Sequence, residues 1–354
     1  MSNEDLGYTN EIEKFRVTNN LDGLNVARVI SEHKDLYTVK NESNEYNAEL
    51  IGNLRFTAEN RNDLPAVGDW VSISEFDDNK ALIHSVFPRK SILERQFVGK
   101  LGQTQIIATN VDFGLIIQSL NRDFSINRLE RYMTICNASN IKPIIVLSKV
   151  DLLDLEELNE LVNQVKERIK NVTIHTISNI SKFGIDKLKS KLIKGKTYCL
   201  LGSSGVGKST LINALTGTKR MNTGEISKSI DRGKHVTSHR ELVVLENGIL
   251  IDNPGMREIG ITDASEGIEM TFDEIIYLAK DCKFSDCSHT NENGCAILVA
   301  IENGDLNSES YANFLKMEKE RAFFESSIIE RKQDHKNLSK LIRLSQKRRN
   351  KNKY

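Results

Sequence analysis

The chain has 354 residues, of which 39% are hydrophobic and 28% charged; this is ordinary globular composition with room for two or three domains, and it excludes a collagen-like, disordered or disulfide-scaffold protein. Lysine plus arginine equals aspartate plus glutamate at 49 each, but residues 331–354 hold ten basic side chains against Asp334 alone, so a basic tail follows an acidic body of net charge −9. The start, MSNEDLGYTNEIEK, lacks the basic-then-apolar layout of a signal peptide, and no apolar run approaches the roughly eighteen residues of a membrane helix. A soluble, cytoplasmic protein with no membrane segment is expected, acting as a monomer.

From about Asn25 to Glu94, short alternating segments such as ARVISEHKDLYTVK, NAELIGNLRF, VGDWVSISEF and ALIHSVF are separated by polar turns. Period-two alternation at this spacing predicts a small antiparallel β-barrel, with an OB-type barrel of about five strands fitting the length and an SH3-like barrel the alternative. Trp70, within VGDWV, reads as half-buried rather than as a base-stacking side chain. After Gln103 the texture changes to continuous apolar runs at 111–120, 142–148, 172–178, 196–202 and 242–252, read as buried strands. Helical stretches lie between them at 125–139, 154–170, 184–193 and 208–216. This is the pattern of a mostly parallel sheet covered on both faces, whose ligands sit at the carboxyl ends of the strands. Beyond Gly260 a helix is expected near 272–280, and charged helices run from about 307 into the tail. The expected division is 1–105, 106–262 and 263–354.

The chemistry concentrates at the strand ends. Gly202-Ser203-Ser204-Gly205-Val206-Gly207-Lys208-Ser209 matches G-x-x-x-x-G-K-[ST] and lies between the apolar KTYCLL and the helical TLINALTG, with Thr210 following. Its glycines let backbone N–H groups wrap phosphates, Lys208 neutralises the β/γ oxygens, and the Ser209 hydroxyl is suited to Mg²⁺. Ser148-Lys149-Val150-Asp151, at the end of IKPIIVL, resembles the N/T-K-x-D guanine-reading motif, in which the aspartate accepts from the base N1–H and 2-amino group. Ser148 stands where asparagine is usual. Ser178 ends a strand that has the look of the guanine-supporting loop. Asp252-Asn253-Pro254-Gly255 matches D-x-P-G, 43 residues past Ser209, where the aspartate reaches Mg²⁺ through water and the Gly255 N–H senses the γ-phosphate. The polar stretch between them reads as a switch loop that contributes Thr237 to the metal and γ-phosphate.

Three of the five cysteines, Cys282, Cys287 and Cys295, fall within 14 residues, and with His289 they form Cys-x4-Cys-x-His-x5-Cys. Three thiolates and one imidazole make a closed structural zinc set with no open position for catalysis. Cys136, Cys199, His84 and His175 read as structural.

The base motif and Ser178 precede the phosphate loop, so the order of a conventional GTPase is circularly permuted. A β-barrel in front, this order, GSSGVGKST, GKHVTS, DNPG and the Cys/His cluster together resemble the small ribosomal subunit-dependent GTPases of the RsgA/YjeQ type. The resemblance implies a GTP hydrolase using GTP/GDP, Mg²⁺ and one Zn²⁺, with the small ribosomal subunit and its rRNA as partners in late subunit maturation. Met256 stands where many GTPases carry a water-positioning glutamine, and the resemblance assigns that task to His235 once the ribosome orders the switch loop. Loss of the γ-phosphate is then expected to pass through Gly255 to Ile261 into the zinc domain. The basic tail suits phosphate contacts with strong salt dependence, or is a solvated helix end. Two rivals remain at this level: an RNA-binding nucleotide sensor with incidental hydrolysis, and an adenine-specific P-loop ATPase.

Overall fold

The computed structural model describes residues 1–33, 36–77, 79–96, 104–217, 240–252 and 265–325. After helix α1 (Asn10–Thr18) come strands β1 (Asn25–His33), β2 (Leu36–Lys40) and β3 (Glu45–Leu50), helix α2 (Gly52–Thr57), and strands β4 (Trp70–Asp77) and β5 (Lys80–Val86). In β3 the side chains of Tyr46, Ala48 and Leu50 are buried while Glu45, Asn47 and Glu49 face solvent, the alternation of a strand with one face on a core. The five strands close in the order β1-β2-β3-β5-β4-β1, antiparallel except for the β3–β5 pair. That is the OB-type barrel expected, with Ala27, Val29, Val39, Val71, Ile73 and Ile83 in its core. Trp70 departs from expectation. It is 1% exposed, edge-on to Tyr8 at 5.0 Å, because the N-terminal segment and α1 cover that side of the barrel with Leu6, Ile12 and Phe15.

A hairpin of β6 (Ile92–Gln96) and β7 (Thr104–Thr109) follows, so a boundary between residues 105 and 106 falls inside β7. The second sheet is built from β8 (Phe113–Ser119), α3 (Ile126–Ala138), β9 (Lys142–Ser148), α4 (Leu155–Arg168), β10 (Thr173–Ile177), α5 (Ile185–Lys191), β11 (Thr197–Leu201), α6 (Lys208–Thr216), β12 (Glu241–Leu245) and β13 (Gly248–Asp252). Its order is β10-β9-β8-β11-β13-β12, parallel except for β12. The apolar run at 242–252, expected as one strand, is an antiparallel pair that turns at Glu246 and Asn247, with Leu245 opposite Gly248. The chain steps outward from β8 to β9 to β10, then returns to place β11 on the other side of β8. The carboxyl ends of β8 and β11 are therefore a topological switch point, the place where open α/β sheets bind ligands. One bridge, Ser31 to Glu241, joins the barrel to β12, so the described strands of both units form a continuous sheet.

Helices α7 (Ser265–Thr271), α8 (Asp273–Ala279), α9 (Ala296–Asn303) and α10 (Ser308–Glu325) form a separate core around Ile268, Phe272, Ile275, Ile297 and Met317. Helix α7 lies so close to α3 that a Cβ on Gly267 would meet the Thr134 carbonyl at 2.4 Å. Beside this contact the buried Glu130 carboxylate of α3 takes a two-pronged bond from Arg168 (2.7 and 2.9 Å), together with Ser310 Oγ at 3.1 Å and Asn313 Nδ2 at 2.5 Å from α10. The C-terminal helices are thus fastened along α3, from Asn127 in its first turn, whose carbonyl accepts from Asn313 Nδ2 at 3.2 Å, to Asn137 in its last, whose Nδ2 donates to Thr271 Oγ1 at 3.0 Å. Among the described residues no helix is long and apolar enough to cross a membrane.

Candidate nucleotide site and metal centre

Strand β11 is buried along its whole length and delivers Gly202 at the switch point. Gly202 has φ +147°, and a Cβ there would lie 2.3 Å from the Ile117 carbonyl of β8, so only glycine lets the loop leave the sheet at this point. The loop then exposes Ser204 and Gly205, buries Val206, and enters α6 at Lys208, with Ser209 and Thr210 in the first turn. A helix N-terminus carrying an N–H-lined loop is a ready anion site. The Lys208 ammonium curls over it, donating to the carbonyls of Gly202 and Ser203 at 2.7 Å each.

The base-motif residues come to the same place from two other strands. Ser148 is buried at the end of β9, and its hydroxyl donates to the Val206 carbonyl of the phosphate loop at 2.7 Å, across 58 positions of sequence. Lys149 follows in the left-handed region (φ +61°), and Asp151 stands exposed beyond it. Ser178, buried at the end of β10, accepts from the N–H groups of Ile180 and Ser181 at 3.2 and 3.0 Å, which curls the loop toward the switch point. Asn179, which the sequence motifs do not single out, donates from Nδ2 to the Gly207 carbonyl at 3.2 Å. Asp252 ends β13, the neighbour of β11, and is nearly buried. His235, Thr237, Gly255, Met256 and Ile261 lie outside the described residues, as does the basic tail.

The second cluster is built on a loop between α8 and α9. The ligand atoms of Cys282, Cys287, His289 and Cys295 all lie within 4.8 Å of one another. Cys282 Sγ is 3.9 Å from Cys295 Sγ, and His289 Nδ1 is 3.4 and 3.5 Å from these two sulfurs. A tetrahedron with zinc–sulfur bonds of about 2.3 Å has edges of about 3.8 Å, slightly shorter to nitrogen. The donor set therefore fits one structural zinc ion in size and chemistry. Desolvation and then the neighbouring Cys295 and Cys282 thiols push the Cys287 thiol up to about 11. The His289 turn, at φ +57°, is shaped by the Glu292 carboxylate, which accepts from the backbone N–H groups of Ser288, Thr290 and Asn291 at 2.8, 2.9 and 3.1 Å. From α10 the Tyr311 hydroxyl donates to the His289 carbonyl at 2.6 Å. Neither Glu292 nor Tyr311 was marked by the ligand spacing, since both act on the loop's backbone.

Comparison with known proteins agrees with this architecture. A family model described as RsgA GTPase matches residues 86–262. A second, described as ABC transporter, matches residues 185–342, a span that contains the phosphate loop but neither base-motif strand. A small ribosomal subunit biogenesis GTPase RsgA 2 of Listeria monocytogenes serotype 4b is 41% identical over 325 residues, covering 91% of this chain and 90% of its own. RsgA 1 of Bacteroides thetaiotaomicron is 36% identical over 98% of this chain and 99% of its own. Among solved structures, YjeQ from Thermotoga maritima superposes with a TM-score of 0.62 at 25% identity, over 82% of this chain and 96% of that one. YloQ, described as a circularly permuted GTPase, superposes at 0.63 over 86% and 97%, which at 21% identity speaks for the fold. Full-length identity of this order, together with the permuted strand order and the phosphate loop at its switch point, establishes that the chain belongs to the RsgA GTPase family.

Proposed function

We propose that this protein hydrolyses GTP to GDP and phosphate on the small ribosomal subunit during late subunit maturation. The observation that carries the reading is the Ser148–Val206 hydrogen bond: a base motif that precedes the phosphate loop in sequence is tied directly to it in space. In this reading the loop from Gly202 to Thr210 wraps the phosphates and Lys208 neutralises the β/γ oxygens. Lys149 packs along the base, Asp151 accepts from its N1–H and 2-amino group, and Ser178 supports the loop beneath it. Ser209, Thr237 and Asp252 would hold Mg²⁺, and the Gly255 N–H would sense the γ-phosphate. The metal, when bound, neutralises charge developing on the transferred phosphoryl group. Met256 has no polar atom able to orient an attacking water strongly, so His235 takes that part when the subunit orders the switch segment. Zinc on Cys282, Cys287, His289 and Cys295 is structural. The division at 105/106 and 262/263, a monomeric state, a cytoplasmic location and contacts of the barrel and basic tail with rRNA belong to the same reading.

The test is steady-state phosphate release from GTP by the purified protein, with and without small subunits, and with excess ATP as competitor. Stimulation by subunits that ATP does not suppress is the expected result, and His235→Ala should remove on the order of a hundredfold or more of the stimulated rate. Suppression by ATP would assign an adenine nucleotide, and turnover indifferent to subunits would leave hydrolysis incidental to RNA binding.

A further inference from the structure

The base motif arrives here with a hydroxyl at position 148 in place of a carboxamide, and the structure supplies a carboxamide from the other base-side loop. Asn179 Nδ2 donates to the Gly207 carbonyl at 3.2 Å, and Ser148 Oγ donates to the adjacent Val206 carbonyl at 2.7 Å. Two consecutive carbonyls of the phosphate loop are therefore held from two different strands, β9 and β10. The fit leaves no room for a side chain at 207, where φ is +97° and a Cβ would lie 2.7 Å from Asn179 Nδ2. The amide cannot turn over, because its oxygen would then face the Gly207 oxygen, acceptor against acceptor. Folding of the Ser178 loop does not explain Asn179, since Ser178 Oγ already takes the N–H groups that curl that loop. Meanwhile Asn179 Oδ1 is buried without a hydrogen-bond partner, a cost that a purely structural asparagine here has no reason to carry.

We propose that Asn179 is a positioning residue for the nucleotide: with Ser148 it ties the base-reading loops to the phosphate loop, so that base and phosphates are gripped as one rigid unit. The inference rests on the guanine-nucleotide reading above and adds to it a second residue, beside Ser148, that sets how firmly guanine is read. Loss of the tether lets the two grips shift relative to each other. The effect falls on nucleotide residence and base selectivity, expressed as KM more than kcat.

The experiment uses the full chain, with Asn179→Ala, the isosteric Asn179→Asp, and Ser148→Ala. Dissociation of a fluorescent GDP analogue is followed by stopped flow, GTP is compared with ITP, which lacks the 2-amino group, and the melting temperature of the nucleotide-free protein is recorded. Both Asn179 variants are expected to release GDP about three- to tenfold faster, as the loss of one part-buried hydrogen bond implies. They should raise KM for GTP by a similar factor and narrow the preference for GTP over ITP, with Ser148→Ala acting in the same direction. A lower melting temperature with unchanged release rate and unchanged GTP/ITP ratio would overturn the tether and leave Asn179 a fold residue. A parent protein that fails to prefer GTP over ATP would instead overturn the guanine reading itself, so the two failures are separable.

Discussion

Stripping zinc from Cys282, Cys287, His289 and Cys295 with a chelator is expected to unfold the α7 to α10 region while the barrel and the GTPase sheet stay folded. The loop between α8 and α9 has no regular secondary structure, and it must place three sulfurs and an imidazole within 4.8 Å of one another. Without a cation those donors have nothing to converge on. The ligands are also part of the core: Cys295 is buried among Ile268, Phe272, Ile297 and Met317, Cys282 and Cys287 pack against the same cluster, and α9 begins at the residue after Cys295. Three helices of seven or eight residues and one of eighteen around so small a core cannot offset their ordering entropy alone, whereas metal binding at structural zinc sites contributes about 10–16 kcal/mol at neutral pH. Hydrogen exchange should therefore show α8 and α9 losing protection on chelation and recovering it when zinc is returned, with β8 to β13 unaffected. Retained protection in α9 at zero metal content would mean that the helical core stands without the ion. Glu292→Gln is the finer probe: it weakens the carboxylate that gathers three N–H groups around His289, and should lower zinc affinity with every ligand still present.

Much of this molecule could be read from residues alone, and the parts that could not share a cause. The strands at 113–119, 142–148 and 197–201 announce themselves as unbroken apolar runs because both of their faces are covered. The phosphate loop and the Cys/His set are legible because their chemistry fixes residue type and spacing. Helices α7 and α9 were missed: with seven and eight residues they carry little periodicity of their own, and they are helical because α3 and the metal loop give them a surface to pack on. The run at 242–252 hid its turn because Val243, Val244, Ile249 and Ile251 are apolar on both sides of it. Asn179 was silent because its partner, the Gly207 carbonyl, belongs to another segment's backbone and leaves no pattern. The full burial of Trp70 is illegible in the same way, since nothing in β4 reveals that the N-terminal segment and α1 cover the outside of the barrel.

Arg28→Met is expected to destabilise the barrel and GTPase unit by about 3 kcal/mol or more, through the loss of donors to buried acceptors. In ARVIS the arginine occupies the position that alternation assigns to solvent, on the face of β1 opposite Ala27 and Val29. That face is instead sealed: Val26 packs with Leu6, Trp70 and Phe87, Ile30 packs into the GTPase core, and Arg28 between them is 1% exposed. Its guanidinium donates to the carbonyls of Gly68 (3.1 Å), Leu6 (2.5 Å) and Asn110 (3.3 Å) and to the Thr197 hydroxyl (2.9 Å), which joins the barrel, the N-terminal segment, the strand connection before β8 and the first residue of β11. Burial draws its pKa down to about 10, still well above neutrality, and the nearby Asp112 and Asp69 favour the cation. Those carboxylates are engaged elsewhere, Asp69 with Arg89 and Asp112 with Lys90, Lys196 and the Thr197 N–H, so the charge is balanced through a network rather than by a direct pair. Methionine fills similar volume but takes the donor from the Leu6 and Asn110 carbonyls and the Thr197 hydroxyl, while the Gly68 carbonyl keeps the Asn110 Nδ2 donor at 3.0 Å; lysine, with its donors on one nitrogen, cannot reach acceptors supplied by separate segments, so Arg28→Lys should recover only part of the loss. The check is the shift of the corresponding urea transition; a change below about 0.5 kcal/mol for Arg28→Met would show that water replaces the guanidinium at little cost. Because Thr197 opens the strand that ends at the phosphate loop, this side chain, with the Ser31–Glu241 bridge, helps to fix where the barrel sits relative to the nucleotide site. Arg28→Met should accordingly free the segment before α1 to limited proteolysis before any strand of the sheet is lost.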